Sequence, residues 1–317
     1  MGDRWIAVKE ESAYGTKPAW SSHKHLQFID YGVEPNNNQT IPLESDGLMP
    51  KFGHFGPFVA GGDVKMYARA DSMGHLLKWL FGGLANTQQD SSAMYLHRYT
   101  MAQGVKSFSM EVCHGLSLNA IFNLGCVVKK LTLEANMNDP AIATWNIQVR
   151  SQDLTAELTA VGTLPSVRPF HLADATITLN AVTMKAESFR VEVERSVPDD
   201  AHVSGSRLLP DISEEGFRIT GEMEVRFETL AQQTAFLGGT TPADELATYA
   251  VVATFDGPPS DVEAYDSYDL VVNLPAVVLT GWRNPISARD RLKQVIGFEA
   301  IYNASNRFDL YNKDASY

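Results

Sequence analysis

Residues Gly221 to Gly239 read GEMEVRFETLAQQTAFLGG, and this stretch decides the fold because the chain has used the same plan earlier. Gly62 to Gly83 reads GDVKMYARADSMGHLLKWLFGG: a glycine, an acid, an alternating segment, a short apolar segment and Gly-Gly. In the later copy Met223, Val225 and Phe227 share one face, opposed by Glu222, Glu224, Arg226 and Glu228. In the earlier copy Val64, Met66 and Ala68 oppose Asp63, Lys65, Tyr67 and Arg69. A period of two predicts a strand buried on one side.

The segment after each strand predicts a helix. Met73, Leu76, Leu77 and Leu80 recur at three-and-four spacing, with Asp71 or Ser72 as cap. Leu230, Gln233, Phe236 and Leu237 form a weaker stripe behind Thr229. Gly82-Gly83 and Gly238-Gly239 supply the left-handed residue that ends a helix. Upstream, HLQFIDYGVEPNN from His25 aligns with SFRVEVERSVPDD from Ser188, so Leu26 falls on Phe189 and Pro35 on Pro198. The expectation is a tandem duplication. An arm (1–24) precedes a first unit (25–152). A linker (153–187) leads to a second unit (188–303) and a polar tail (304–317). Each unit is β-rich with one short helix.

The 317 residues suit two domains, and 44% hydrophobic with 20% charged content indicates a globular chain. A net charge of -12 argues against general affinity for nucleic acid, whose binders carry a basic footprint. No apolar run reaches the ~18 residues of a membrane helix, and the start shows no signal-peptide core. Cys113 and Cys126 fall on expected adjacent strands as buried thiols, which suits a reducing cytoplasm.

Motifs for chemistry are missing. The sequence contains no G-x-S-x-G, phosphate loop, H-E-x-x-H, paired C-x-x-C or G-x-G-x-x-G. His23 and His25 lack further ligands nearby, and the turn acids Asp199-Asp200 and Glu214-Glu215 read as solvated. The expectation is no enzyme, no metal and no cofactor. One connection, 35–60, is unusually long and carries Ile41, Leu43, Leu48, Phe52, Phe55 and Phe58, which a solvated loop does not need.

ESAYGT at Glu11, the strand–helix–Gly-Gly unit, PFHLADATITLNAV followed by SFRVEVERSV, and DLVVNLPAVVLTG with LKQVIGFEAIYN resemble the major tail tube proteins of long-tailed, siphophage-like bacteriophages. The resemblance covers most of the chain as a succession of patterns. It implies a mainly β, sandwich or barrel-like domain flanked by a helix. Subunits of that kind close into rings with a continuous inner β-barrel, and the rings stack into a tube through which DNA leaves. It also implies inter-ring contacts from the arm and long loop, here Trp5, Tyr14, Ile41, Leu43, Leu48, Phe52, Phe55 and Phe58. The expected partners are tape-measure, tail terminator and distal tail proteins. Viral DNA passes without specific binding, no membrane is involved, and assembly takes place in the host cytoplasm. The duplication suggests a trimeric, pseudo-sixfold ring, with a hexamer as the alternative. The acid-bearing strand faces supply lumen candidates: Asp63, Glu192, Glu194, Glu222 and Glu224, mixed with Lys65, Arg190 and Arg226. Rival readings are a baseplate or secretion-tube ring, or a carbohydrate-binding adhesin using Trp20, Trp145 and Trp282.

Overall fold

The computed structural model describes residues 4–42, 49–50, 52–89, 93–115, 120–155, 158–241, 246–260, 267–284 and 292–317. Strands come first as β1 (Trp5–Glu10), β2 (Lys24–Leu26), β3 (Asp30–Tyr31), β4 (Glu34–Asn36), β5 (Gln39–Thr40), β6 (His54–Phe55) and β7 (Val59–Tyr67). Helix α1 (Gly74–Phe81) leads to β8 (Gly82–Gln88), β9 (Tyr95–Met101), β10 (Phe108–Cys113), β11 (Ile121–Asn136), β12 (Ile142–Val149) and β13 (Ser151–Asp153). The second half holds β14 (Ala175–Leu179), β15 (Val182–Met184), β16 (Ala186–Ser196), β17 (Gly216–Arg226) and α2 (Ala231–Leu237). It ends with β18 (Tyr249–Pro259), β19 (Ser267–Arg283), β20 (Lys293–Ala300) and β21 (Arg307–Asn312).

The protein is mainly β and antiparallel. The long strands β11 and β19 each pair with one set of neighbours in their first half and another in their second, so the sheet bends over one large apolar core in the manner of a sandwich. It does not close into a barrel: its order ends in open edges among the described residues. The core draws on both halves of the chain, including Val64, Trp145, Leu131, Val191, Met223 and Phe298.

The repeat is visible in the hydrogen-bond register. Strand β7 pairs with β12, and β12 with β11. Strand β17 likewise pairs with β20, and β20 with β19. Val64 faces Trp145 as Met223 faces Ile296, and Tyr67 faces Ile142 as Arg226 faces Lys293. Even the β-bulge recurs. It interrupts β11 between Val128 and Lys130, and β19 between Leu279 and Gly281, at matching places opposite β12 and β20. One detail differs from the sequence alignment. Asp30 faces Lys65 as Ser188 faces Glu224. Asp30, and not His25, is therefore the counterpart of Ser188, a displacement of five residues along the chain.

Other differences concern ends and edges. Gly82 and Gly238 end the helices at φ 78 and 74, as their sequence position predicts. Asp71 caps no helix; its carboxylate accepts from the backbone N–H of Ser166 and Val167 and ties down the linker. Pro275 sits where the β18–β19 register shifts, the bend its missing donor calls for. The polar C-terminal residues contain β21, whose buried Phe308 and Leu310 insert it between β9 and β19.

Gly62 and Gly221 occupy equivalent places and leave no room for a side chain. A Cβ on Gly62 (φ +156) would lie 1.9 Å from the Gly32 carbonyl oxygen, and one on Gly221 2.2 Å from the Phe298 ring. Gly62→Ala and Gly221→Ala are each expected to lower stability by ~1–3 kcal/mol through overpacking, measured by the denaturant midpoint of the purified subunit.

Candidate functional site

Directly opposed residues on paired strands share a sheet face, so the register shows which charges stand together. One row runs Asp63, Asn146, Lys130, Glu194, Arg218 across β7, β12, β11, β16 and β17. A second runs Lys65, Thr144, Thr132, Glu192, Thr220, Glu299, and a third Tyr67, Ile142, Glu134, Arg190, Glu222, Gly297. Glu224 follows on the same face, two residues beyond Glu222 on β17. All five acids singled out from sequence therefore lie on one face of one sheet, opposite the face that carries Leu131, Val193 and Met223 into the core.

That face is a mosaic. Lys130 pairs with Glu192 at 2.5 Å, and Arg190 reaches both Glu192 and Glu134 at 3.0 and 3.3 Å. Arg218 pairs with Glu299 at 2.9 Å, Arg283 with Glu222 at 3.2 Å and Lys293 with Glu224 at 2.6 Å. Asp63 accepts from the Asn146 amide at 2.7 Å. Burial alone would raise the Glu192 carboxyl, but Lys130 and Arg190 outweigh it and hold the group below its ordinary value. Hydrogen bonds from Lys293 and Arg226 lower Glu187 in the same way.

Two sheet edges flank this face. Strands β3 and β4 pair with β7 alone, and Val278–Arg283 of β19 with β20 alone, among the described residues. The corresponding edges inside the chain are occupied: β11 receives β16 along Lys130–Asn136.

The contact candidates divide by placement. Trp5 is 2% exposed, in a small cluster with Ala7 and Cys113 that Trp20, Leu158 and Leu164 cover. Tyr14 lies under the Arg150 guanidinium, and burial pushes its hydroxyl up to about 12. Ile41 (62% exposed), Phe52 and Phe55 (60%) stand out on the β5–β6 hairpin, while Phe58 packs against the core. Leu43 and Leu48 lie outside the described residues. Arg207 braces the hairpin by donating to the Gly56 carbonyl and the Asn37 amide oxygen, with its guanidinium 4.9 Å from the Phe55 ring centre.

Glu11 and Arg195 are two of the buried charged residues that the sequence pattern did not single out. Glu11, the first residue of ESAYGT, accepts from Ser107 and Ser109 hydroxyls at 2.7 Å and from the N–H groups of Gly15 and Gly125 at 2.8 Å. It straps the arm to β10 and β11. Arg195 is fully buried and donates to the carbonyls of Leu80 and Ala102 and to Glu214. A signal for Arg195 was present: it holds the core-facing parity of Phe189, Val191 and Val193.

The His25 ring accepts from Gly162 N–H and His23 stacks on Trp20; among the described residues no group of three or more potential ligands comes together. Cys113 and Cys126 are buried without a disulfide. Trp145 is buried, Trp20 donates to Glu111 and Trp282 to Gln294, so these tryptophans form no common stacking platform. No helix among the described residues is long and apolar enough to cross a membrane.

The site is thus a bent antiparallel sheet with a repeated register, two open edges and a charged face. A family model described as phage tail tube protein matches residues 4–300, and the chain belongs to that family. No curated protein matches it. The protein is a structural component of the virion tail, of a kind that assembles with itself into a stacked tube.

Two outcomes test this geometry. Glu11→Ala is expected to cost roughly 3 kcal/mol, because four donors lose a charged acceptor inside the protein, read as a lowered unfolding midpoint. The Glu192 carboxyl, held below its ordinary value of 4.5, adds stability above that pH, and the contribution fades as pH falls through the folded value. Glu192→Gln should flatten this acid limb by up to ~1 kcal/mol, the scale of a partly exposed ion pair, in denaturant titrations from neutral pH to pH ~3.

Proposed function

We propose that the chain is a duplicated-domain tail tube subunit, with 25–152 and 188–303 as its two units and 153–187 as the linker between them. Three chains close a ring of six units, the rings stack, and DNA passes through the channel on ejection. The observation that carries this reading is the inequality of the two sheet edges. A head-to-tail contact between unlike edges generates a ring whenever the rotation closes, and closure pairs both of these exposed ladders at once.

In this arrangement the charged face, with Asp63, Glu192, Glu194, Glu222 and Glu224, lines the lumen. DNA must slide there without being held. Free lysines and arginines would bind phosphates with counterion release. Here Lys130, Arg190, Arg218 and Lys293 are engaged by carboxylates, which lowers their attraction for phosphate, and the remaining acids repel it within a Debye length of ~8 Å. The hairpin carrying Ile41, Phe52 and Phe55 reaches toward the next ring. A tape-measure protein fills the lumen before ejection, and terminator and distal tail proteins end the stack. The buried thiols suit assembly in the host cytoplasm.

Electron microscopy and native mass spectrometry of the purified protein test this reading. Hollow tubes dissociating to three-chain rings are expected. Six chains per ring would overturn the trimer, and a monodisperse monomer under all assembly conditions would overturn the tube. Ile41→Asp with Phe55→Asp should shorten or abolish tubes while single rings persist, seen in negative-stain images.

A further inference from the structure

The joint between the two units is a template for the joint between chains. Within the chain, β11 meets β16 with Lys130 opposite Glu194, Leu131 opposite Val193 and Thr132 opposite Glu192. The repeated register translates each position. Lys130, Leu131 and Thr132 face Asn146, Trp145 and Thr144 on β12, as Gly281, Trp282 and Arg283 face Gly297, Ile296 and Val295 on β20. Glu194, Val193 and Glu192 face Arg218, Ile219 and Thr220 on β17. Their counterparts Asn36, Pro35 and Glu34 face Val59, Ala60 and Gly61 on β7.

A second, independent asymmetry marks the same place. Helix α1 buries Leu76, Leu77, Trp79, Leu80 and Phe81, whereas α2 buries no residue. The C-terminal end of α1 is covered by the second unit: Arg195 donates to the Leu80 carbonyl, and the Phe217 ring stacks 6.5 Å from Phe81. Counting back from the terminal glycines Gly82 and Gly238, Leu80 corresponds to Phe236, which is 39% exposed. Counting along the matched strands, Arg195 and Phe217 correspond to Asn37 and Phe58, the two ends of the long loop.

We propose that one chain joins the next by repeating its internal joint, with Gly281 opposite Asn36, Trp282 opposite Pro35 and Arg283 opposite Glu34 of a second copy. Asn37 and Phe58 of that copy, the counterparts of Arg195 and Phe217, cover Phe236 and the end of α2. The occupant of both surfaces is thus a second copy of this chain, and the inference rests on the tail tube reading above. Charge agrees, since Arg283 and Glu34 come face to face. One feature works against the pairing. Gly32 donates its N–H to Asp63 on β7, so Pro35, out of phase with it, turns its missing donor toward the open edge. The intermolecular ladder therefore has one hydrogen bond fewer than the internal one. The same proline discourages pairing of this edge with arbitrary strands.

The test is disulfide trapping in assembled tubes. Directly opposed residues in an antiparallel pair sit within the Cα range a disulfide spans. Glu34→Cys with Arg283→Cys should, on mild oxidation, give covalent multimers on non-reducing gels. Either single variant should give none. Asn36→Cys with Arg283→Cys, displaced by two residues or ~7 Å, should give about tenfold less. Tubes in the microscope with no cross-link, or with equal cross-linking of the displaced pair, would overturn the register while leaving the tube intact. Failure of the unmodified chain to form tubes would instead remove the reading beneath it. If the double variant does not assemble, hydrogen exchange of the unmodified chain decides. Assembly should protect Val278–Arg283 and Ala231–Leu237, and unchanged exchange in either segment would overturn the proposal.

Discussion

The structure depends on one constraint: backbone N–H and C=O groups along a sheet edge need partners. Inside the chain that need is met where β16 lies along β11, and the two units become one continuous sheet with a common core. Beside the charged face it leaves one ladder unpaired at β3–β4 and one at the end of β19, among the described residues. Because the units share a register, the leftover edges at β3–β4 and at the end of β19 are the same two kinds of edge that already meet in the middle. Open ladders of this kind fit the self-assembly that the tail tube family implies.

Electrostatics follows from the same register. Antiparallel pairing sets residues of neighbouring strands in rows, and alternation sends one set inward and the other outward. The outward rows hold carboxylates and cations in near-neighbour pairs, so the surface is strongly charged in composition but locally neutralised. Such pairs add little stability individually. Their contribution is to make the face hydrophilic while leaving it locally close to neutral.

Buried charges play the opposite part. Glu11 and Arg195 are each surrounded by hydrogen-bond partners, and each fastens a segment that apolar contacts would leave loose: the arm over β10 and β11, and the second unit over the end of α1. Among the described residues no buried charge clasps α2; the Tyr249 hydroxyl donates to its Ala235 carbonyl instead. The difference between α1 and α2 is one of position, since one helix lies at an internal joint and the other at an open end.

Much of this could be read from the residues. The two strand–helix–Gly-Gly segments, the alternation of Met223 and Val225 against Glu222 and Glu224, and the bend at Pro275 are local patterns, set by side-chain parity and by the backbone freedom of glycine and proline. Parity within each strand was local too, but the gathering of the five acids on one face is set by the pairing of β7, β12, β11, β16 and β17. Strand β8, whose GGLANTQ lacks apolar alternation, and β21, inside a polar stretch, were hidden because their partners, not their composition, make them strands. The upstream register was displaced by five residues because β3 and β4 are short and broken by Gly32 and Val33, leaving too few alternating positions to anchor an alignment. The hub at Glu11 and the pairing of β11 with β16 lay beyond the sequence altogether. They join residues about a hundred and about sixty positions apart, and only hydrogen-bond geometry across the folded chain selects such partners.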